Sequence, residues 1–306
     1  MKIVFLEPLG LKVQQIEAAC EGLKKDGHEV VIFPDRNENL DELVHRAEGA
    51  EIVVESNIPL RKDFLDACPN LKMLSIAFTG LDHIDMDECQ RRGIVVKNAA
   101  GYSTEAVAEL AIAMMIDLFR KVLENDAITR QCKSKGIMPG REIGGKTIGI
   151  IGMGNIGQRV AKLASAFGCK VLAWNRTPKQ IDGVTFVDKE TLLKESNIIT
   201  LHIALNAETR DFISEKDFAM MKPNSILINT ARGPVVNEVA LANALRQGKI
   251  AAAATDVYGT EPPLKQDNPL FGAPNLIMLP HIGFATEEAF ILRLGIVVDN
   301  VKQFVG

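Results

Sequence analysis

Lys146-Thr147-Ile148-Gly149-Ile150-Ile151-Gly152-Met153-Gly154-Asn155-Ile156-Gly157 is the stretch whose reading decides the fold. The apolar run Thr147–Ile151 predicts a buried parallel strand. It empties into Gly152-x-Gly154-x-x-Gly157, and Val160, Ala161, Leu163, Ala164 and Phe167 follow at helical spacing. The first glycine permits a tight strand-to-helix turn. The second lets the backbone approach a pyrophosphate, and the third lets helix pack on strand. The N–H groups and dipole at the start of that helix favour phosphate charge. Together they predict a dinucleotide site.

The context supports that reading. Gly168 predicts the helix stop, and Lys170–Trp174 a second strand ending at Asn175-Arg176-Thr177. Asn175 lies 175 − 157 = 18 residues past Gly157, close to the ~20 expected of the residue that meets the adenosine ribose. An acidic residue there would accept hydrogen bonds from the ribose hydroxyls and repel a 2′-phosphate. Neutral Asn175, cationic Arg176 and the Thr177 hydroxyl favour NADP instead, with NAD as the alternative.

A chain of 306 residues exceeds the usual single core, so two domains are expected. A net charge of −4 and a pI near 5.8 argue against a nucleic-acid-binding surface. One lysine precedes a short apolar run closed by Glu7-Pro8, which does not read as a signal peptide. No apolar stretch approaches the ~20 residues that span a bilayer. Cys20, Cys68, Cys89, Cys132 and Cys169 are scattered without metal-ligand spacing, as suits a reducing cytoplasm. The expected location is cytoplasmic, with no metal, no nucleic acid and no membrane partner.

The first 98 residues alternate strand and helix signals. Strands are predicted at Lys2–Leu6, Glu29–Phe33, Glu51–Glu55, Lys72–Phe78 and Gly93–Lys97. Helices are predicted around Val13–Lys25, Glu38–Arg46, Arg61–Ala67 and Asp85–Arg92. That alternation predicts a parallel α/β domain. The loop from Ala77 to Asp85 follows a buried strand, where open α/β sheets bind ligands; Gly80 offers backbone N–H groups, and Asp82 or Asp85 a helix cap. A long helix begins at Ser103, with Val107, Leu110, Ala111, Met114, Met115 and Leu118 in register. The polar stretch Phe119–Gly145, including Lys133-Ser134-Lys135-Gly136, reads as a linker or an arm around a second subunit. Beyond the glycine loop, strands are predicted at Asn197–Ile203, Ser225–Thr230, Ala251–Val257 and Asn275–Leu279, and helices near Lys189–Lys194, Ser214–Met221 and Glu238–Gln247. A final helix, Glu287–Phe304, is placed to pack back on the first domain.

Three predicted strand ends carry reactive groups on one carboxyl edge: Arg232, Glu261 and His281. Reduction of a 2-oxo acid needs this set. A guanidinium binds the carboxylate bidentately, an imidazolium donates a proton, and a carboxylate fixes the imidazole tautomer. Singly, each has an ordinary structural use; their joint placement carries the argument. Asp256 caps a turn or sits near the nicotinamide, and His202 is structural or near the cofactor. His28, His45 and His83 show no acid–base partner in the sequence.

The chain resembles the D-isomer-specific 2-hydroxyacid dehydrogenase family over essentially its full length. The matching stretches are Gly152–Gly157, Leu201–Arg210, Met221-Lys222-Pro223, Ile228–Asn237, Asp256–Pro263 and Leu279–Thr286. The resemblance implies two doubly wound parallel-sheet α/β domains. A Rossmann dinucleotide-binding domain (99–285) is inserted into a flavodoxin-like substrate domain (1–98 plus 286–306). It implies that Arg232 binds substrate, Glu261 supports the histidine and His281 is the acid/base. Implied cofactor contacts are Thr104, Asn155, Ile156, Thr209, Thr230, Ala231, Asp256 and Gly283, beside the glycines Gly152, Gly154 and Gly157. Thr79 and Gly80 match the substrate-carboxylate loop, and the family is commonly dimeric, so a homodimer is expected. Phe78 stands where many members carry glycine, implying a narrower or more apolar pocket. Asn237 replaces the usual Asp, with little effect expected because Asn also caps well. Asn175-Arg176 is similar to the NADPH-linked glyoxylate/hydroxypyruvate reductases. With the sequence ending at Gly306, the regulatory domain of longer phosphoglycerate dehydrogenases is not expected.

The expected function is NAD(P)-dependent interconversion of a small glyoxylate- or hydroxypyruvate-like 2-oxo acid and its D-2-hydroxy acid. The alternatives are a D-3-phosphoglycerate or D-lactate dehydrogenase, or a dinucleotide-sensing interaction protein of the corepressor type.

Overall fold

The structure, a computed structural model, describes residues 1–134 and 139–306; Lys135 and Gly136 of the predicted linker lie outside the described residues. The chain divides into two compact units, Met1–Ser103 with Ala285–Gly306, and Thr104–Phe284.

The first unit runs β1 (Lys2–Phe5), α1 (Val13–Ala19), α2 (Glu21–Lys25), β2 (Glu29–Ile32), α3 (Leu40–Arg46), β3 (Ile52–Glu55), α4 (Lys62–Ala67), β4 (Met73–Ile76), α5 (Met86–Arg92) and β5 (Val95–Asn98). Its sheet is parallel in the order β2-β1-β3-β4-β5, the flavodoxin-like winding. Every residue of β3 and β4 is buried, Glu55 and Ser75 included, as central strands covered on both faces are. The predicted helix Val13–Lys25 is two helices. Cys20 leaves helical geometry at φ −91°, ψ 0°, its N–H shared between the carbonyls of Ile16 and Glu17. Asp85 does cap a helix: its side chain accepts the Glu88 N–H at the start of α5.

The second unit runs α6 (Thr104–Arg120), α7 (Val122–Arg130), β6 (Thr147–Ile151), α8 (Asn155–Ala166), β7 (Lys170–Trp174), β8 (Val184–Phe186), α9 (Lys189–Glu195), β9 (Ile198–Leu201), α10 (Glu215–Phe218), β10 (Ile226–Asn229), α11 (Glu238–Arg246), β11 (Ala252–Thr255) and β12 (Leu276–Met278). The sheet order is β12-β11-β10-β9-β6-β7-β8, all parallel. The winding reverses between β6 and β9, the crevice where doubly wound sheets hold nucleotides. One apolar layer joins α6 and α8 to the sheet; α9, α10 and α11 build the other.

Two elements were not expected. β8 is a three-residue edge strand, too short for a period-2 pattern. Helix α7 occupies part of the stretch predicted as polar linker. It buries none of its residues, so it has no apolar stripe for periodicity to find.

The last helix, α12 (Glu287–Val305), belongs to the first unit. Thr286 caps it through the Ala289 N–H, and Leu294, Val297, Val298 and Val301 line its buried face. Ser75 of β4 donates to the Val297 carbonyl at 3.1 Å, and Asn300 donates to the Asn98 carbonyl at 3.1 Å. Among the described residues, no helix is long and apolar enough to cross a membrane, and no group of side chains suited to a metal ion occurs.

Candidate active site

The glycine loop joins β6 to α8, and each glycine answers to a distinct steric demand. Gly152 sits at φ +100°, where an added Cβ would lie 2.4 Å from the His202 carbonyl oxygen. A Cβ on Gly157 would fall 1.9 Å from the Gly152 carbonyl oxygen, the close approach of helix to strand. A Cβ on Gly154, in contrast, would have nothing within 4 Å. That open space, beside a first turn of α8 that no side chain caps, suits a pyrophosphate. Thr230 adds a buried hydroxyl oxygen without a hydrogen-bond partner among the described residues. These features fit a dinucleotide.

The turn after β7 differs in detail from expectation. Asn175 accepts the Met153 N–H at 3.2 Å and donates to the Thr177 carbonyl at 2.7 Å. Its amide therefore braces the glycine loop. Arg176 and Thr177 are exposed, and the Arg176 guanidinium lies 3.7 Å from Glu208. Lys179, which the sequence reading passed over, donates to the Met153 carbonyl at 3.1 Å. Its signal was a second cation shortly after Arg176. Among the other expected cofactor contacts, Asn155 is exposed at the start of α8, and Ile156 packs against the apolar layer. Thr104 opens α6, half-buried. The Thr209 hydroxyl donates to the Ala204 carbonyl at 2.7 Å and closes its own loop. His202 Nε2 lies 3.0 Å from the Thr200 hydroxyl, and burial depresses its pKa to about 3.

The ends of β10, β11 and β12, neighbours in the sheet, bring Arg232, Glu261 and His281 to one edge. Asn229 folds the first turn by accepting the Ala231 N–H at 3.1 Å and donating to the Arg232 carbonyl at 3.0 Å. Gly233 follows because a Cβ there would lie 1.8 Å from the carbonyl carbon of Tyr258. The loop carrying Arg232 thus rests directly on the loop carrying Glu261. Tyr258 then donates its hydroxyl to the Leu279 carbonyl at 2.8 Å, tying in the loop of His281. Nothing in the residue pattern had marked Tyr258.

His281 Nδ1 lies 3.2 Å from Glu261 Oε2, with the imidazole 19% exposed and edge-on to Phe284. His281 is left-handed at φ +58°. Asp256, 1% exposed, accepts the N–H groups of Ile282 and Gly283 at 2.8 and 2.7 Å. Burial raises the Asp256 carboxyl above its ordinary pKa, against the pull of those two hydrogen bonds. Asp256 therefore shapes the turn that presents His281.

In the first unit, Thr79 is exposed, Gly80 half-buried, and Asn98 donates to the Thr79 carbonyl at 2.7 Å. The Phe78 side chain is 6% exposed, its ring edge-on to that of His83. His83 has a carboxylate partner that the sequence did not reveal: its Nε2 is 3.0 Å from Glu55 Oε1.

A doubly wound sheet with a glycine loop at its switch point and a paired histidine on the same edge defines a dinucleotide-dependent oxidoreductase. The sequence model described as D-isomer specific 2-hydroxyacid dehydrogenase, NAD binding domain, matches residues 112–283. A glyoxylate reductase of Thermococcus litoralis is 44% identical over 79% of this chain and 76% of its own length. A hydroxypyruvate reductase of Blautia hydrogenotrophica is 33% identical over 99% of this chain and 97% of its own. The solved structure of an acyclic imino acid reductase (Bsp5) with NADPH and D-Arg superposes with a TM-score of 0.90 at 32% identity, covering 100% of this chain and 97% of that one. The chain belongs to the D-isomer specific 2-hydroxyacid dehydrogenase family and is an oxidoreductase with an NAD(P)-binding domain.

Proposed function

We propose that this enzyme uses NADP(H) in preference to NAD(H) to interconvert a glyoxylate- or hydroxypyruvate-like 2-oxo acid and its D-2-hydroxy acid. The observation that carries the reading is the His281–Glu261 pair, 3.2 Å apart, on the sheet edge that also bears Arg232. Bound at the glycine loop, the reduced nicotinamide supplies a hydride. Arg232 pairs with the substrate carboxylate and polarises its ketone. As the carbonyl carbon gains the hydride, the C=O π pair moves onto oxygen, which takes a proton from His281 Nε2. Glu261 holds Nδ1 and balances the imidazolium charge. By the family resemblance, Thr79 and Gly80 add backbone N–H groups for the carboxylate. By the same resemblance, Asp256, Thr230, Ala231 and Gly283 would contact the dinucleotide, and Arg176 and Thr177 would meet a 2′-phosphate.

We assign the enzyme to the cytoplasm as a homodimer; all five cysteines are free thiols, which suits a reducing compartment. Steady-state kinetics with NADPH and NADH against glyoxylate, hydroxypyruvate, pyruvate and 3-phosphohydroxypyruvate test the reading. Higher kcat/KM for the first two acids with NADPH supports it. Preference for NADH, or for the phosphorylated acid, overturns the corresponding part.

A further inference from the structure

The first unit holds a buried carboxyl–imidazole pair that the chemistry above does not use. Glu55 ends β3 with 0% exposure, and His83 in the loop after β4 is 9% exposed. His83 Nε2 lies 3.0 Å from Glu55 Oε1, while Oε2 accepts the Ile58 N–H at 2.6 Å. The imidazole in turn meets the ring of Phe78 edge-on, centroids 6.4 Å apart at 80°. Backbone bonds pin the same loop: Ala99 donates to the Phe78 carbonyl at 3.0 Å, and Leu60 to the His83 carbonyl at 3.1 Å. Phe78 immediately precedes Thr79 and Gly80.

A buried carboxylate–imidazole pair is a poor source of net stability, because desolvation of both groups offsets their attraction. What it does supply is direction. A carboxylate held on two sides leaves the imidazole one orientation, and that orientation sets the seat of the Phe78 ring.

We propose that Glu55 and His83 are positioning residues for the substrate carboxylate: Glu55 orients His83, His83 seats Phe78, and the Thr79 and Gly80 N–H groups are thereby aimed. This rests on the assignment of that loop to the carboxylate under Proposed function.

The test uses the NADPH-loaded full-length enzyme, with KM and kcat for glyoxylate and hydroxypyruvate, NADPH Kd, melting temperature, and the Kd of oxamate, a non-reducible 2-oxo acid analogue. His83→Ala and Glu55→Ala raise KM and oxamate Kd about tenfold, with kcat and NADPH Kd held within about twofold, as expected for a displaced binding loop. Glu55→Gln keeps one acceptor for His83 but turns its amide toward the Ile58 N–H, so KM and oxamate Kd rise less than in Glu55→Ala. A lowered melting temperature with unchanged KM and oxamate Kd overturns the inference. Should the single variants fail to fold, Glu55→Leu with His83→Leu removes both polar groups together and carries the same expectation. A wild type that binds oxamate but reduces none of the acids refutes the substrate reading, and the oxamate Kd of His83→Ala then decides this one. A wild type that does not bind oxamate refutes both.

Discussion

Asp256 holds His281 in a left-handed turn by accepting the N–H groups of the two residues that follow it, Ile282 and Gly283. Such a conformation costs a residue with a side chain about 1–2 kcal/mol, and two hydrogen bonds to a carboxylate offset that cost. Asp256→Asn turns one acceptor into an amide facing a donor. The variant is expected to lose about 1–3 kcal/mol of stability, read from the urea midpoint, together with kcat as the imidazole loses its aim. Unchanged stability would remove Asp256 from this role.

His281→Ala removes the proposed proton donor but leaves the glycine loop untouched. Turnover at neutral pH is expected to fall by at least ~100-fold, with NADPH Kd nearly unchanged in a fluorescence titration. Near-normal turnover would remove His281 from the proton-transfer step.

How much of this was legible in the sequence depends on the element. β6, α8 and β7 were legible nearly to the residue, because the glycine spacing and the apolar runs point to one structure. The placement of Arg232, Glu261 and His281 on one sheet edge was legible because each follows an apolar strand that could be counted along the chain. The Glu55–His83 pair was not: the two residues are 28 apart, and only the β3–β4 pairing brings their loops together. Tyr258 escaped for a related reason. Its part is a backbone surface under Gly233 and one hydroxyl contact, neither of which leaves a pattern. α7 escaped because a helix without a buried face has no hydrophobic period.

Arg232→Lys keeps the charge but loses the planar fork. A point charge cannot make the two parallel bonds to a carboxylate. KM for the 2-oxo acid is expected to rise by at least ~10-fold, with NADPH affinity retained. An unaltered KM would count against the assignment of Arg232 to the carboxylate.

Arg176 is 82% exposed with Glu208 at 3.7 Å, so its guanidinium can reach a phosphate without disturbing the core. Arg176→Ala is expected to lower kcat/KM for NADPH roughly tenfold and leave NADH within about twofold. Equal losses with both coenzymes would defeat the phosphate-pairing argument.

His202 gives a prediction about stability rather than turnover. Burial beside Thr200 moves its pKa from 6.5 down to about 3, so the folded protein holds the imidazole neutral while the unfolded chain protonates it readily. The sign follows from proton counting: below 6.5 the unfolded state binds more protons, so acid favours unfolding. The contribution is complete above 6.5 and is lost as pH falls toward 3, at up to about 1.4 kcal/mol per pH unit. Urea unfolding of the wild type and His202→Asn at pH 7 and pH 5 measures it. The wild type is expected to lose about 2 kcal/mol more than the variant over that interval. Equal losses in both would mean that burial does not depress the His202 pKa in the folded protein.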